Sequence, residues 1–129
     1  MSRIRKIFFF VILSYSIIFP VFAQDLYIDE LVIARHIEDH VPVEIGCVFP
    51  ADVKRLYCFT KICGVRSKTA ITHNWYWNNR EIATIRLSIG TPTWRTFSSI
   101  EIPSYWRGHW WVDIKHGDNY IGGTDFIIK

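Results

Sequence analysis

The 129-residue sequence lacks the spacings that usually mark a reaction in a small protein. No His-x-His or His-Glu-x-x-His pattern occurs, which removes the common zinc frameworks. No Gly-x-Ser-x-Gly turn is present to expose a nucleophilic serine. Glycine-rich phosphate loops are also missing, because Gly122-Gly123 falls inside a strand pattern where a β-bulge is the plain reading. Long charge runs and low-complexity segments are absent as well.

Cysteine is scarce and odd in number: Cys47, Cys58 and Cys63 allow at most one internal disulfide, and their spacing does not choose among the three pairs. The alternative is that all three are small buried hydrophobes. No two of them have the close spacing of a zinc or redox motif.

What is present at the start of the chain reads as an export signal. Arg3, Arg5 and Lys6 form a basic start, Ile7 to Phe19 an apolar run, and Val21-Phe22-Ala23 a small-residue cleavage site before Gln24. A membrane-spanning helix needs about 20 apolar residues. This run is shorter and is broken by Pro20, so membrane contact is expected only through an uncleaved signal. Cleavage would remove 23 of the 129 residues and leave 106, the size of one domain with one core. It would also remove three of the 15 lysines and arginines and none of the 12 acids, leaving 12 against 12. The mature chain is then formally neutral, without the basic excess that nucleic-acid binding needs. The expected location is the periplasm or cell envelope.

Nearly every later segment reads as strand, with β-branched and aromatic residues divided by turn residues at short intervals. The candidates are Leu26 to Glu38, Val53 to Ile62, Thr69 to Trp77, Ile82 to Ile89, Trp94 to Ile102, His109 to Lys115 and Tyr120 to Ile128. A helix remains open only over residues 27–38. Val41 to Ala51, which holds Pro42 and Pro50, reads as a connecting loop. Asn78-Asn79 sits where a hairpin turn demands tolerance of positive φ. Seven short strands of this kind predict an all-β fold, an antiparallel immunoglobulin-like β-sandwich.

The segment from His73 onward resembles a bacterial family known as domain of unknown function 2914. The resemblance lies in His73 and Trp75, the alternating strand Ile82 to Ile89, Trp94-Arg95-Thr96 with Ser98-Ser99, Gly108-x-Trp110-x-Val112, and the closing Phe126-Ile127-Ile128. Upstream, Leu56-Tyr57-Cys58-Phe59-Thr60 is similar to that family's aromatic strand, so the likeness runs from about Leu31 to Lys129. Trp111 beside Trp110 and the three cysteines depart from the pattern. With no established activity or cofactor in the family, the resemblance implies architecture and an envelope setting.

Six tryptophans lie in the mature chain: Trp75, Trp77, Trp94, Trp106, Trp110 and Trp111. Core packing is the ordinary role of any one of them, yet strand neighbours point to opposite faces, so Trp110 and Trp111 cannot both enter one core. Trp110 with Val112 and Ile114 is expected inside and Trp111 outside. By the same rule His73, Trp75 and Trp77 share one strand face and Tyr76 takes the other. Outward aromatics left uncovered would mark an interaction surface. The expected ligand-binding residues are therefore Tyr76, Trp77, Trp106, Trp111, Arg95 and His73. If residues 82–89 and 94–102 form a hairpin, Arg86 and Arg95 become cross-strand neighbours on a polar face.

His109, Asp113 and His116 invite a metal reading, but on a strand His116 would point away from the other two. No metal site, no cofactor and no catalytic residue is expected. The function expected from these residues is non-catalytic binding of an envelope protein, a peptide or a cell-wall glycan through aromatic contacts. The alternative is a small envelope hydrolase acting on glycan or peptide.

Overall fold

The computed structural model describes residues 11–17 and 26–129. The export-signal reading of residues 1–23, with its cleavage site, falls largely outside them. Nine strands follow in order: β1 (Tyr27–Glu38), β2 (Val41–Ile45), β3 (Val48–Phe49), β4 (Arg55–Cys63), β5 (Thr69–Trp77), β6 (Arg80–Ile89), β7 (Trp94–Glu101), β8 (Gly108–His116) and β9 (Asn119–Ile128). They form two stacked sheets, one of order β2-β1-β4-β7 and one of order β3-β9-β8-β5-β6. All pairings are antiparallel except β3 with β9.

The core forms where the period-2 patterns of the two sheets meet. From the four-stranded sheet come Ile33, Leu56, Cys58 and Ile62, and from the five-stranded sheet Ile71, Trp75, Trp110, Val112, Ile114 and Phe126. Trp110 and Phe126 stack at 5.7 Å, and Trp75 meets Phe126 edge-on at 6.2 Å. Rings of this size each remove about 150–250 Å² from water, so this group dominates the apolar stabilisation.

A polar clasp crosses the core between the sheets. The Trp75 indole N–H donates to Ser98 Oγ at 3.0 Å, and Ser98 Oγ lies 2.6 Å from His73 Nδ1. His73 Nε2 lies 3.1 Å from Thr60 Oγ1, which in turn donates to the Thr96 carbonyl at 3.4 Å. An indole nitrogen can only donate. One proton arrangement satisfies the whole set: Ser98 donates to Nδ1, and Nε2–H donates to Thr60. Burial pushes the His73 imidazole from its usual 6.5 down to about 3, which keeps it neutral, and the hydroxyl partners set its tautomer.

Most of the strand pattern stands, with two differences. The 41–51 loop contains β2 and β3, which raises the count from seven strands to nine. Asp39 and His40 adopt φ of 49° and 62°, closing a tight hairpin that returns the chain along β1, and Pro42 is tolerated because β2 is a sheet edge. After Gly46 the chain changes sheets and pairs with the end of β9. The condition that would make Arg86 and Arg95 neighbours, a hairpin between residues 82–89 and 94–102, is not met. The Gly90–Thr93 turn carries the chain from one sheet to the other, so β6 pairs with β5 and β7 with β4.

All three cysteines are free. Only Cys58 is a buried hydrophobe, its thiol pKa pushed up by desolvation; Cys63 is half-buried and Cys47 is exposed. Asn78 and Asn79 take φ of 51° and 59° in the β5–β6 turn, the left-handed conformation their side chains tolerate. Between Ile114 and Lys115 the β8–β9 ladder slips, leaving Ile121 as an extra residue before Gly122-Gly123. That slip is the expected bulge.

Candidate aromatic binding face

Strand alternation places Tyr76 on the outer face of β5 and His109, Trp111 and Asp113 on the outer face of β8. Tyr76 and Trp111 are direct cross-strand partners, and their rings stack at 5.1 Å with planes 7° apart. One step along β8, the His109 ring stacks on Trp111 at 5.5 Å. The His109 Nε2 lies 3.0 Å from Asp125 Oδ2 on β9. Three rings thus form a row across two strands, with a carboxylate at its end.

Polar groups held in fixed positions flank the row. Asn74 donates to Glu81 Oε1 at 3.0 Å and to Thr84 Oγ1 at 3.2 Å, and it accepts from the Thr72 hydroxyl at 2.8 Å. Thr84 also donates to Glu81. Hydrogen bonds from Thr84 and Asn74 and the charge of Lys115 hold the Glu81 carboxyl below its ordinary pKa, against a smaller opposing desolvation. Desolvation, with the carboxylates of Glu81 and Asp113, raises the Tyr76 phenol pKa. Tyr76 therefore stays a neutral hydroxyl able to donate.

Two shallow clefts border Trp111 and His109. One, of about 280 Å³, lies towards Asp113, Tyr120, Gly123 and Asp125. At Gly123 a Cβ would sit 2.8 Å from the Tyr120 hydroxyl and 3.0 Å from the Val112 carbonyl, so glycine is what leaves this floor open. The other, of about 290 Å³, lies towards Trp77, Asn78, Asn79, Arg107 and Gly108. His109 and Trp111 line both, so each cleft is a shallow groove beside the aromatic row.

The remaining expected residues separate. Trp77 stacks on Trp106 at 4.7 Å with planes 2° apart, and both lie against Trp110 at 6.0 Å. Their indole N–H groups are not equally placed: that of Trp77 donates to the Arg107 carbonyl at 2.9 Å. This pair caps the core, and Trp77 also forms one wall of the second cleft. Arg95 is exposed on β7 in the other sheet, opposite Lys61, and does not join the row. His73 is 0 % exposed and belongs to the clasp. His109, Asp125, Tyr120 and the Asn74–Glu81 pair, which border the row, were not among the expected residues. Outward parity on each strand was their only available signal, and parity does not say which strands lie side by side.

Among the described residues no three of His, Cys, Asp or Glu converge to hold a metal ion. His109 pairs with Asp125 rather than with Asp113 or His116.

Two stacked, mainly antiparallel sheets around one core define an immunoglobulin-like sandwich. An immunoglobulin-like protein from Pseudomonas aeruginosa superposes with a TM-score of 0.57 at 14% identity, over 81% of this chain and 97% of that one. Part of the alkylpurine DNA glycosylase AlkC of Pseudomonas fluorescens, solved bound to DNA containing an abasic site analogue, also superposes. There the TM-score is 0.52 at 10% identity, over 81% of this chain but 30% of that one. Both likenesses show the fold alone. No curated protein matches the chain. Residues 68–128 match the model of the family described as "Protein of unknown function (DUF2914)". That segment is β5 to β9, which contains the whole aromatic row.

Proposed function

We propose that the chain is an exported, non-catalytic module of the cell envelope that binds a glycan chain across the outer face of the five-stranded sheet. The observation that supports this most directly is the Tyr76–Trp111–His109 row set among fixed carboxylate, amide and hydroxyl groups. Aromatic faces take the apolar C–H side of a sugar ring, and orienting polar groups take its hydroxyls. Asn74, Glu81, Asp113 and Asp125 supply acceptors and donors on both sides of the rings. Export rests on the basic and apolar start of the sequence.

The hydrolase alternative draws no support from the Ser98–His73 pair, despite its 2.6 Å separation. Both residues lie buried between the sheets, and the second imidazole nitrogen meets a threonine hydroxyl instead of an orienting carboxylate.

Titrating the protein with soluble cell-wall oligosaccharides is expected to change its tryptophan emission. In Trp111→Ala, binding should weaken by about 2 kcal/mol, roughly thirtyfold, with thermal unfolding little changed. If the wild-type emission responds to no glycan or envelope fraction, the aromatic-face reading fails.

A further inference from the structure

Each sheet has two edges, and three of the four are blunted in a recognised way. Strand β2 carries Pro42, β3 is two residues long, and β6 is interrupted by a bulge that leaves Ile82 unpaired in its ladder with β5. Unprotected edges present a row of free N–H and C=O groups that pairs readily with another strand. Strand β7 has none of these protections: it is eight residues long, contains no proline, and pairs with β4 without a register shift.

The free groups of that edge can be placed. Just past the strand the Ile102 N–H donates to the Lys54 carbonyl at 2.7 Å in the β4–β7 register, so the backbone groups of the even-numbered residues of β7 turn towards β4. By alternation those of Arg95, Phe97, Ser99 and Glu101 turn outward. Among the described residues no backbone hydrogen bond outside the sheet ladder reaches β7. Two large apolar side chains are also uncovered there, Trp94 at 43 % and Phe97 at 38 % exposure.

We propose that β7 pairs antiparallel with β7 of a second copy, in a twofold register centred on Ser98. The sequence of the strand is self-complementary in this register. Arg95 falls opposite Glu101 of the second copy, and Glu101 opposite its Arg95, on the outer face. Phe97 falls opposite Ser99 on the same face, and Thr96 opposite Ile100 on the inner one. Glu101 is 83 % exposed in its contact with Arg55, so it has room to accept a second cation. The four-stranded sheets then join into one eight-stranded sheet.

A twofold axis through this junction runs perpendicular to the joined sheets, so both copies present their five-stranded sheets to the same side. The two Tyr76–Trp111–His109 rows would point one way, as a bivalent reader of a long polymer gains from. That consequence rests on the glycan reading; the dimer itself does not.

Sedimentation velocity of the purified chain without ligand tests the proposal over a wide concentration range. The wild type is expected to show a monomer–dimer equilibrium. Arg95→Glu and Glu101→Arg should each raise the dissociation constant at least about tenfold, and the double exchange should restore dimerisation. A wild-type chain that stays monomeric throughout overturns the proposal, as does a dimer indifferent to both reversals. Because no ligand is added, failure here is distinct from failure of glycan binding.

Discussion

Ser98→Ala is expected to lower the unfolding free energy by about 2–5 kcal/mol, the largest effect of any single-atom deletion at the sheet interface. Among the described residues the Ser98 hydroxyl is the one side-chain partner of two buried groups, the Trp75 indole N–H at 3.0 Å and His73 Nδ1 at 2.6 Å. Trp75 and His73 are each 0 % exposed, so water cannot replace what is lost. Each orphaned group costs about 1–3 kcal/mol. Ser99→Ala is the matched control on the same strand, because its hydroxyl faces outward and accepts from Arg55 at 2.9 Å in a part-buried setting. That variant should lose less than about 1.5 kcal/mol. Urea unfolding of both, with unchanged m-values, measures the difference. Equal losses would mean that the clasp contributes nothing special.

The features read correctly from the sequence were those decided within one strand. The opposite faces of Trp110 and Trp111 follow from period-2 geometry, and Trp110 is buried while Trp111 is not. The Asn78-Asn79 turn follows from residues that tolerate positive φ. Both hold whatever the neighbouring strand is. By contrast, Arg95 lies beside Arg86 only if the two consecutive strands pair, as consecutive strands usually do. The chain instead crosses between sheets at Gly90–Thr93, and no local pattern marks that switch. Strands β2 and β3 were hidden for a related reason. Pairing with β1 and with the end of β9 is what makes the Pro42 segment and the Val48–Phe49 pair into strands.

The candidate site shows the same division. That Tyr76 and Trp111 point outward was legible from parity alone. That they stack on each other required β5 beside β8 in the register Tyr76↔Trp111, a pairing across more than thirty intervening positions. His109 drew attention as a possible metal ligand, but its partner is Asp125 on a strand whose neighbour the sequence does not name. His73 was the reverse case. Its strand face was assigned correctly, yet a histidine on an apolar face looks equally suited to a ligand. Only the hydroxyls of Thr60 and Ser98 from the opposite sheet show that its hydrogen-bonding capacity is already used.

His73 should also make the fold acid-sensitive at an unusually high pH. In the fold, desolvation lowers its pKa to about 3, whereas the unfolded chain has the ordinary value of 6.5. As pH falls below 6.5 the unfolded state takes up a proton that the folded state refuses. This contribution to stability is therefore complete above about pH 6.5 and is lost progressively as pH falls towards about 3. The slope is about 1.4 kcal/mol per pH unit, or about 2 kcal/mol between pH 6.5 and 5. The hydrogen-bond partners of the imidazole are uncharged hydroxyls, so no neighbouring carboxylate stabilises the imidazolium and offsets the loss. Glu81 acts in the same direction, but its carboxyl pKa is already lowered, so it contributes only below the ordinary glutamate range. Four other histidines share the window from pH 6.5 to 5, so the difference between the wild type and a His73 variant is what carries this contribution. Urea unfolding across that window, at fixed ionic strength, should show stability falling with pH in the wild type. In His73→Gln, which keeps polar atoms at the site but cannot be protonated there, the curve should start lower and fall less steeply. A variant retaining the wild-type slope would show that the protons are taken up elsewhere.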